Sequence, residues 1–220
     1  MASELMHSEE AAKRLATALA PHDAEITPRG DPARHAAADA LERALATLSP
    51  PTEAGRVALI VTRGADHARQ TWGRVDLAPG QPMPGDRWDP ANKYGDENQL
   101  TLMNVEVARL IANGQALTLF GDNLLVDLDI SAANLPAGSQ IEVGGALLEV
   151  TAKPHTGCRQ FVQRFGAAAT KLAFRADLRP RRMRGVHARV VRAGAVGVGD
   201  VARVVSRANA TAAAAPAEAS

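Results

Sequence analysis

The stretch Gln140-Ile141-Glu142-Val143-Gly144-Gly145-Ala146-Leu147-Leu148-Glu149-Val150-Thr151 decides how the chain folds. Ile141 and Val143 alternate with polar neighbours before the two glycines, and Ala146, Leu148 and Val150 alternate after them. A period of two on both sides of a two-residue glycine turn predicts an antiparallel hairpin with one buried face. Further along, residues 186–191 and 201–205 repeat the short β-branched pattern, separated by a turn containing Gly194, Gly197 and Gly199. Upstream, residues 57–62 read as a buried strand and residues 72–77 as a weaker one. Several short strands with glycine-rich turns predict a mainly β fold, a barrel with small helices at its periphery.

The helical signals sit around these strands. Ser8 is a candidate N-cap with Glu9 and Glu10 in the first turn, and Leu15 and Leu19 fall four apart before Pro21. A second helix is expected to open at Asp31-Pro32 and to run through Leu41, Leu45 and Leu48 to Ser49-Pro50-Pro51. Together they form a helical N-terminal extension, residues 1–54, ahead of a β domain at 55–206 and an alanine-rich flexible tail at 207–220. Within the β domain, Asn104 caps a helix through Val105, Ala108, Leu110 and Ile111 that stops at Asn113-Gly114. Phe161, Val162 and Phe165 suit a short helix ending at Gly166. Residues 79–98 carry Pro79, Gly80, Pro82, Pro84, Gly85, Pro90 and Gly95, so a long irregular loop is expected there. Loops of that length are often functional, although simple surface looping is the commoner explanation.

Composition narrows the function classes. The 220 residues hold 25 Lys and Arg against 24 Asp and Glu, a net charge of +1, so any attraction for anions must be local. Aromatic residues are 3%, too few for the stacking platforms of a single-strand nucleic-acid binder. No apolar run approaches a membrane span, and charged residues occupy the first 21 positions where a signal peptide needs an apolar core, so a reducing, cytoplasmic setting is expected. The single cysteine, Cys158, cannot close an intrachain disulfide.

Cys158 lies in Lys153-Pro154-His155-Thr156-Gly157-Cys158-Arg159, between the hairpin's second strand and a candidate helix. A helix N-terminus, Lys153, Arg159 and a protonated His155 would each favour thiolate over thiol. Such a thiolate suits a nucleophile, a persulfide carrier or a soft metal ligand. A lone cysteine is, however, most often a small buried apolar residue, and His155 has an ordinary role as a loop hydrogen-bonding group. Arg175, Arg179, Arg181, Arg182 and Arg184 form a second constellation, able to hold phosphate or to line a solvated loop. Two turns, Gly85-Asp86-Arg87-Trp88 and Gly121-Asp122-Asn123-Leu124, could each hold an anion-binding backbone or orient a partner arginine, although Gly-Asp pairs are more often turn chemistry alone. The standard nucleotide, zinc-protease and serine-hydrolase motifs are absent from the sequence.

Taken in order, Gly85-Asp86-Arg87, Asn98-Gln99-Leu100-Thr101-Leu102-Met103, Gly121-Asp122-Asn123-Leu124, the hairpin into Pro154-His155-Thr156-Gly157-Cys158, the Phe161 to Gly166 segment and Arg184-Gly185-Val186-His187-Ala188-Arg189-Val190 resemble the MOSC family, whose domain also ends the molybdenum cofactor sulfurases. The resemblance implies a MOSC-type β-barrel built around one functional cysteine. In the family that cysteine carries sulfur as a persulfide or binds molybdenum of the molybdopterin cofactor, which implies that role for Cys158. His155 would assist it, with Lys153, Arg159, Arg181, Arg182, Arg184, Asp86, Arg87 and Asn123 as cofactor-binding candidates.

Many members have histidine after Gly-Asp-Arg, where this chain has Trp88. The chain has no room for a pyridoxal-phosphate desulfurase domain and shows no flavin or iron-sulfur motif. A stand-alone sulfurtransferase-like protein or molybdenum-dependent oxidoreductase would therefore need a sulfur donor, such as a cysteine desulfurase, or an electron donor in trans. The competing expectation is a non-enzymatic module that binds an anionic ligand through the barrel pocket and the arginine loop. Nucleic-acid binding by the same arginines ranks below both.

Overall fold

The computed structural model describes residues 28–156 and 159–208; the helix expected around Ser8, Leu15 and Leu19, the tail beyond residue 208, and Cys158 lie outside the described residues. The chain runs α1 (Ala38–Thr47), β1 (Ala54–Arg63), β2 (Arg69–Trp72), β3 (Arg74–Leu77), β4 (Leu100–Asn104), α2 (Val105–Ala112), β5 (Leu124–Val126), β6 (Gln140–Val143), β7 (Ala146–Val150), α3 (Arg159–Phe174), β8 (Val186–Arg192), β9 (Gly194–Gly197) and β10 (Val201–Ser206).

Seven strands close a barrel in the order β1, β10, β6, β7, β8, β4, β5 and back to β1. The hairpin pairs Val143 with Ala146 across Gly144-Gly145, the register that a two-residue turn dictates. Neighbours in the ring are antiparallel except β4 and β5, which run parallel. Parallel neighbours need a crossover, and α2 supplies it. The Asn104 side chain accepts from Val107 N at its start, and Asn113 closes it in the left-handed region at φ 47°.

Alternation along the strands separates two cores. Ile60, Leu124, Leu102 and Val186 lie in register across β1, β5, β4 and β8 and fill the barrel interior. One residue along, Leu59, Leu125 and Met103 face outward, where α1, α2 and α3 cover them with Leu41, Leu45, Ile111 and Phe165. β4 is thus buried on both faces, which is why it reads as a near-continuous apolar run.

Four sequence expectations are corrected. The segment at 72–77 is split between two strands at Gly73: β2 pairs antiparallel with β1, and β3 forms a separate ribbon with β9. That ribbon places a strand inside the expected 194–199 turn, because the pairing partner lies about 120 residues upstream and leaves no local trace. The helix expected from Asp31 onward is broken into a 3-10 turn, Pro32–Arg34, and α1. Between them His35 is extended and packs on Gly166, where a Cβ would come within 2.7 Å of the His35 ring. Gly166 does end a helical segment, at φ 84°, but a second segment restarts and carries α3 on to Phe174.

Candidate active site

Two residues along from the covered apolar row, on the same outer face and at the mouth of the barrel where β1 ends and β5, β4 and β8 begin, the wall turns polar. Val61, Asn123, Thr101 and His187 form this row, with Val61 N donating to Asn123 O at 2.8 Å and Thr101 registered against His187. Asn123 is fully buried and joins four segments. Its Oδ1 accepts from Thr101 N, Thr101 Oγ1 and Arg63 Nη2 at 3.1, 3.2 and 3.2 Å. Its Nδ2 donates to Val61 O at 3.2 Å and to Asp86 Oδ2 at 3.0 Å. The Asp86 carboxylate also accepts from Arg63 N, Arg63 Nη2 and Trp88 N. Burial alone would raise the Asp86 carboxyl, but Arg63 and these N–H donors outweigh it and hold it below the usual carboxylate range. Each Gly-Asp turn therefore orients an arginine: Asp86 holds Arg63, and Asp122 holds Arg184.

The Asp122 turn faces the loop after β7. Its Oδ2 lies 3.4 Å from Arg184 Nη1, and its Oδ1 lies 3.5 Å from His155 Nδ1. Arg184 Nη2 in turn sits 3.5 Å from His155 Nε2. A guanidinium only donates and a carboxylate only accepts, so the tautomer with the proton on Nδ1 and the lone pair on Nε2 matches both neighbours. Protonating Nε2 would set N–H against N–H. Burial first, and then Arg184, accordingly drive His155 well below its ordinary pKa. Burial raises Asp122, against the opposing pull of Arg184 and Arg63. His155 thus adds no positive charge near Cys158 at neutral pH, contrary to the protonated imidazole expected from the loop's composition. The positive charges acting on the two histidines are those of Arg184 and Arg63, joined at His187 by Lys153.

His187, its ring centroid 4.7 Å from that of His155, is pushed down to about 4 by burial, Lys153, Arg63 and Arg184. The sign of the resulting pH dependence is fixed. Between its unfolded value near 6.5 and its folded value, the unfolded chain binds the extra proton, so stability falls as pH drops through that window. His187 should contribute a loss of about 2 kcal/mol after solvent screening, with His155 acting in the same direction and Asp122 in the opposite one. Urea unfolding at pH 7.0 and 4.5 checks this: His187→Gln should lose less stability on acidification than wild type, and an identical loss in both would refute the assignment.

The remaining candidates scatter. Lys153 Nζ stands 3.2 Å from the centroid of the Tyr94 ring. Arg159 opens α3 and directly follows Cys158 in sequence. Arg87 is exposed, with Nη1 3.2 Å from His67 Nδ1. The arginine run divides. Arg181 donates to Leu45 O, and Arg182 to Leu135 O and Ile130 O, so these two tie loops together away from the mouth. Arg175 pairs with Asp177 and Glu42. Arg184 alone of that run turns into the cluster, its guanidinium carbon 4.4 Å from the Phe161 ring centroid. Trp88 is packed in and donates Nε1 to Asn98 Oδ1 at 3.1 Å, so here it anchors the 79–98 loop. Sequence reasoning named neither Arg63 nor Asp122 nor His187 as site residues. His187 and Asp122 were visible as members of quoted motifs, whereas nothing local marks Arg63. Among the described residues, no group of three or more His, Cys, Asp or Glu side chains is arranged to hold a metal ion.

The profile of the MOSC domain matches residues 89–203. The crystal structure of the YuaD protein from Bacillus subtilis superposes with a TM-score of 0.55 at 18% identity, covering 69% of this chain and 95% of that one. A crystal structure described as that of a hypothetical protein gives a TM-score of 0.51 at 19% identity, covering 70% of this chain and 69% of that one. At those identities the likeness shows the shared barrel fold. A search of curated proteins found no match. The profile spans more than half of the sequence, runs from β4 into the first residues of β10 and includes Asp122, His155, Arg184 and His187, and the chain belongs to the MOSC domain family.

Proposed function

We propose that this protein handles the molybdenum cofactor at the barrel mouth, with Cys158 carrying sulfur as a persulfide or ligating molybdenum. The observation that supports this reading is the Asp122, His155, Arg184 and His187 cluster, of which His155 lies three residues in sequence from the only thiol. Its donor set fits an oxygen-rich anionic group: Arg184 Nε and His187 Nδ1 are buried without a hydrogen-bond partner, and His155 Nδ1 lies 3.5 Å from Asp122 Oδ1 without a hydrogen bond to it. A thiolate, being soft, suits molybdenum. When bound, the cofactor would supply the redox chemistry. The chain's own residues bind and orient: Arg184 presents a fixed charge, Asp122 favours the His155 tautomer protonated on Nδ1, and Asn123 with Asp86 ties the 79–98 loop to the end of β1. Positive charge from Arg184, Arg63 and Lys153 favours the thiolate form of a nearby cysteine. A sulfur donor such as a cysteine desulfurase, or an electron donor, acts in trans. Among the described residues, no helix is long and apolar enough to cross a membrane.

Metal analysis and intact mass spectrometry of protein from a cofactor-competent host test the proposal. Molybdenum with pterin that disappears in Cys158→Ala supports ligation, and a reductant-labile sulfur on Cys158 supports transfer. Protein carrying neither would overturn both. Anion binding that is indifferent to Cys158→Ala, with no sulfur or metal on the thiol, would instead favour the non-enzymatic module.

A further inference from the structure

Beside the mouth lies a second group of arginines that the cluster above does not use. Arg63 ends β1, a 3-10 turn (Ala65–His67) follows, Arg69 opens β2, and Arg87 is carried over from the 79–98 loop. The loop is pinned there by Arg87 N donating to Arg63 O at 2.7 Å. Arg69 Nη1 donates to His67 O at 2.8 Å while Arg87 Nη1 reaches His67 Nδ1 at 3.2 Å, so both guanidinium groups gather on one residue. Because arginine only donates, Nδ1 of His67 accepts, and its Nε2–H is left as a further donor.

We propose that Arg69 and Arg87, gathered around His67 beside the Arg63–Asp86 pair, form a binding site for a phosphate or phosphomonoester group. Three observations carry it. Among the described residues no carboxylate pairs with Arg69 or Arg87; the nearby Asp86 has its oxygens committed to Arg63, Asn123 and the Trp88 N–H. Arg69 Nη2 lies over Gly121, where a Cβ would stand 2.8 Å from it, so the glycine of the Gly121-Asp122 turn leaves the space that the guanidinium occupies. Finally, burial first, and then the charges of Arg164, Arg87 and Arg63, depress the Arg69 guanidinium to about 10, and a bound dianion would oppose the contribution of those charges. Arg87 is exposed and Arg69 and His67 half-buried, which leaves the group accessible. Arginine forks match phosphate oxygens in pairs. The Arg181 and Arg182 donors go to Leu45 O and to Leu135 O and Ile130 O; Arg69 likewise spends Nε and Nη1 on the carbonyls of Thr118, His67 and Ala68, which leaves its Nη2, with Arg87 and His67 Nε2, to meet a phosphate. The inference rests on the cofactor reading solely for which molecule carries the phosphate.

Calorimetric titration of the full chain with inorganic phosphate, and in a second arm with phenyl phosphate, tests it. Binding in both arms is expected, weakening as salt rises; a clear preference for phenyl phosphate would identify a phosphomonoester as the ligand, and equal binding a free phosphate. Arg87→Gln, which removes a single exposed contact, should weaken binding by about tenfold. Arg69→Gln with Arg87→Gln should abolish it, whereas Arg181→Gln with Arg182→Gln and Cys158→Ala should bind as wild type does. No phosphate binding by the wild type, unchanged affinity in Arg87→Gln, or a loss that follows Arg181 and Arg182 would overturn the site. Because no readout here involves sulfur or metal on Cys158, this site can fail while the proposed function stands, and the reverse.

Discussion

Asp122→Ala is expected to lower the unfolding free energy by about 3–5 kcal/mol. The Asp122 side chain is 1% exposed and that of Arg184 6%, so the variant leaves a guanidinium charge inside the protein with no carboxylate beside it. The Phe161 ring face and the His155 lone pair remain, but neither carries a full negative charge. Apolar replacement of both partners should cost less than removing one, since the penalty comes from the unpaired charge and not from the lost contact. Asp122→Ala with Arg184→Met should therefore be more stable than Asp122→Ala alone. Urea unfolding midpoints of the three proteins read this directly. A single variant within about 1 kcal/mol of wild type would show that Arg184 finds another way to satisfy its charge, and the electrostatic account of the mouth would fall with it.

The same pair shows what can be read from sequence and what cannot. The Gly144-Gly145 hairpin and the caps of α2 were legible because a turn and a cap are decided by a few adjacent residues. β9 was not, since its strand character comes from pairing with β3, distant in sequence, and four residues with two glycines carry no pattern of their own. The loop around Cys158 stood out because its charges and glycine are contiguous. Arg63, Asp122 and Arg184 come from three separate stretches, and the closure of the barrel through β1, β5, β4 and β8 is what brings them together. The arginine run misled for the converse reason. Arg181, Arg182 and Arg184 are neighbours in sequence, but Arg182 sits in the left-handed region at φ 50°, and the chain turns there so that adjacent side chains point to different partners. Proximity in sequence overstates proximity in space wherever the backbone reverses.

The tightest link between fold and site is Gly185, and Gly185→Ala should cost about 3–5 kcal/mol while disrupting the mouth. Gly185 has φ 85°, a conformation that a residue with a Cβ adopts with strain. An added Cβ would also stand 2.4 Å from Leu102 O and 3.3 Å from both Asp122 Oδ1 and His155 Nδ1. The first of these atoms is backbone in β4, directly where Leu102 registers with Val186 of β8, so relief requires the two strands to separate. The other two belong to the polar cluster, so the movement that relieves the clash also pulls Asp122 and His155 from Arg184. Gly199 provides the control. Its φ is 91°, but nothing lies within 4 Å of a Cβ built there, so Gly199→Ala meets backbone strain without collision. It should cost about 1–2 kcal/mol and leave the His155 and His187 ring resonances where they are in wild type, whereas Gly185→Ala should shift both. Equal losses at the two positions, with unshifted histidines in both, would mean that backbone conformation accounts for the whole effect and that β4 and β8 have slack at the mouth. A loss confined to position 185 would show that the close approach of β8 to β4, set by a missing side chain, is what holds Arg184 against Asp122 and His155.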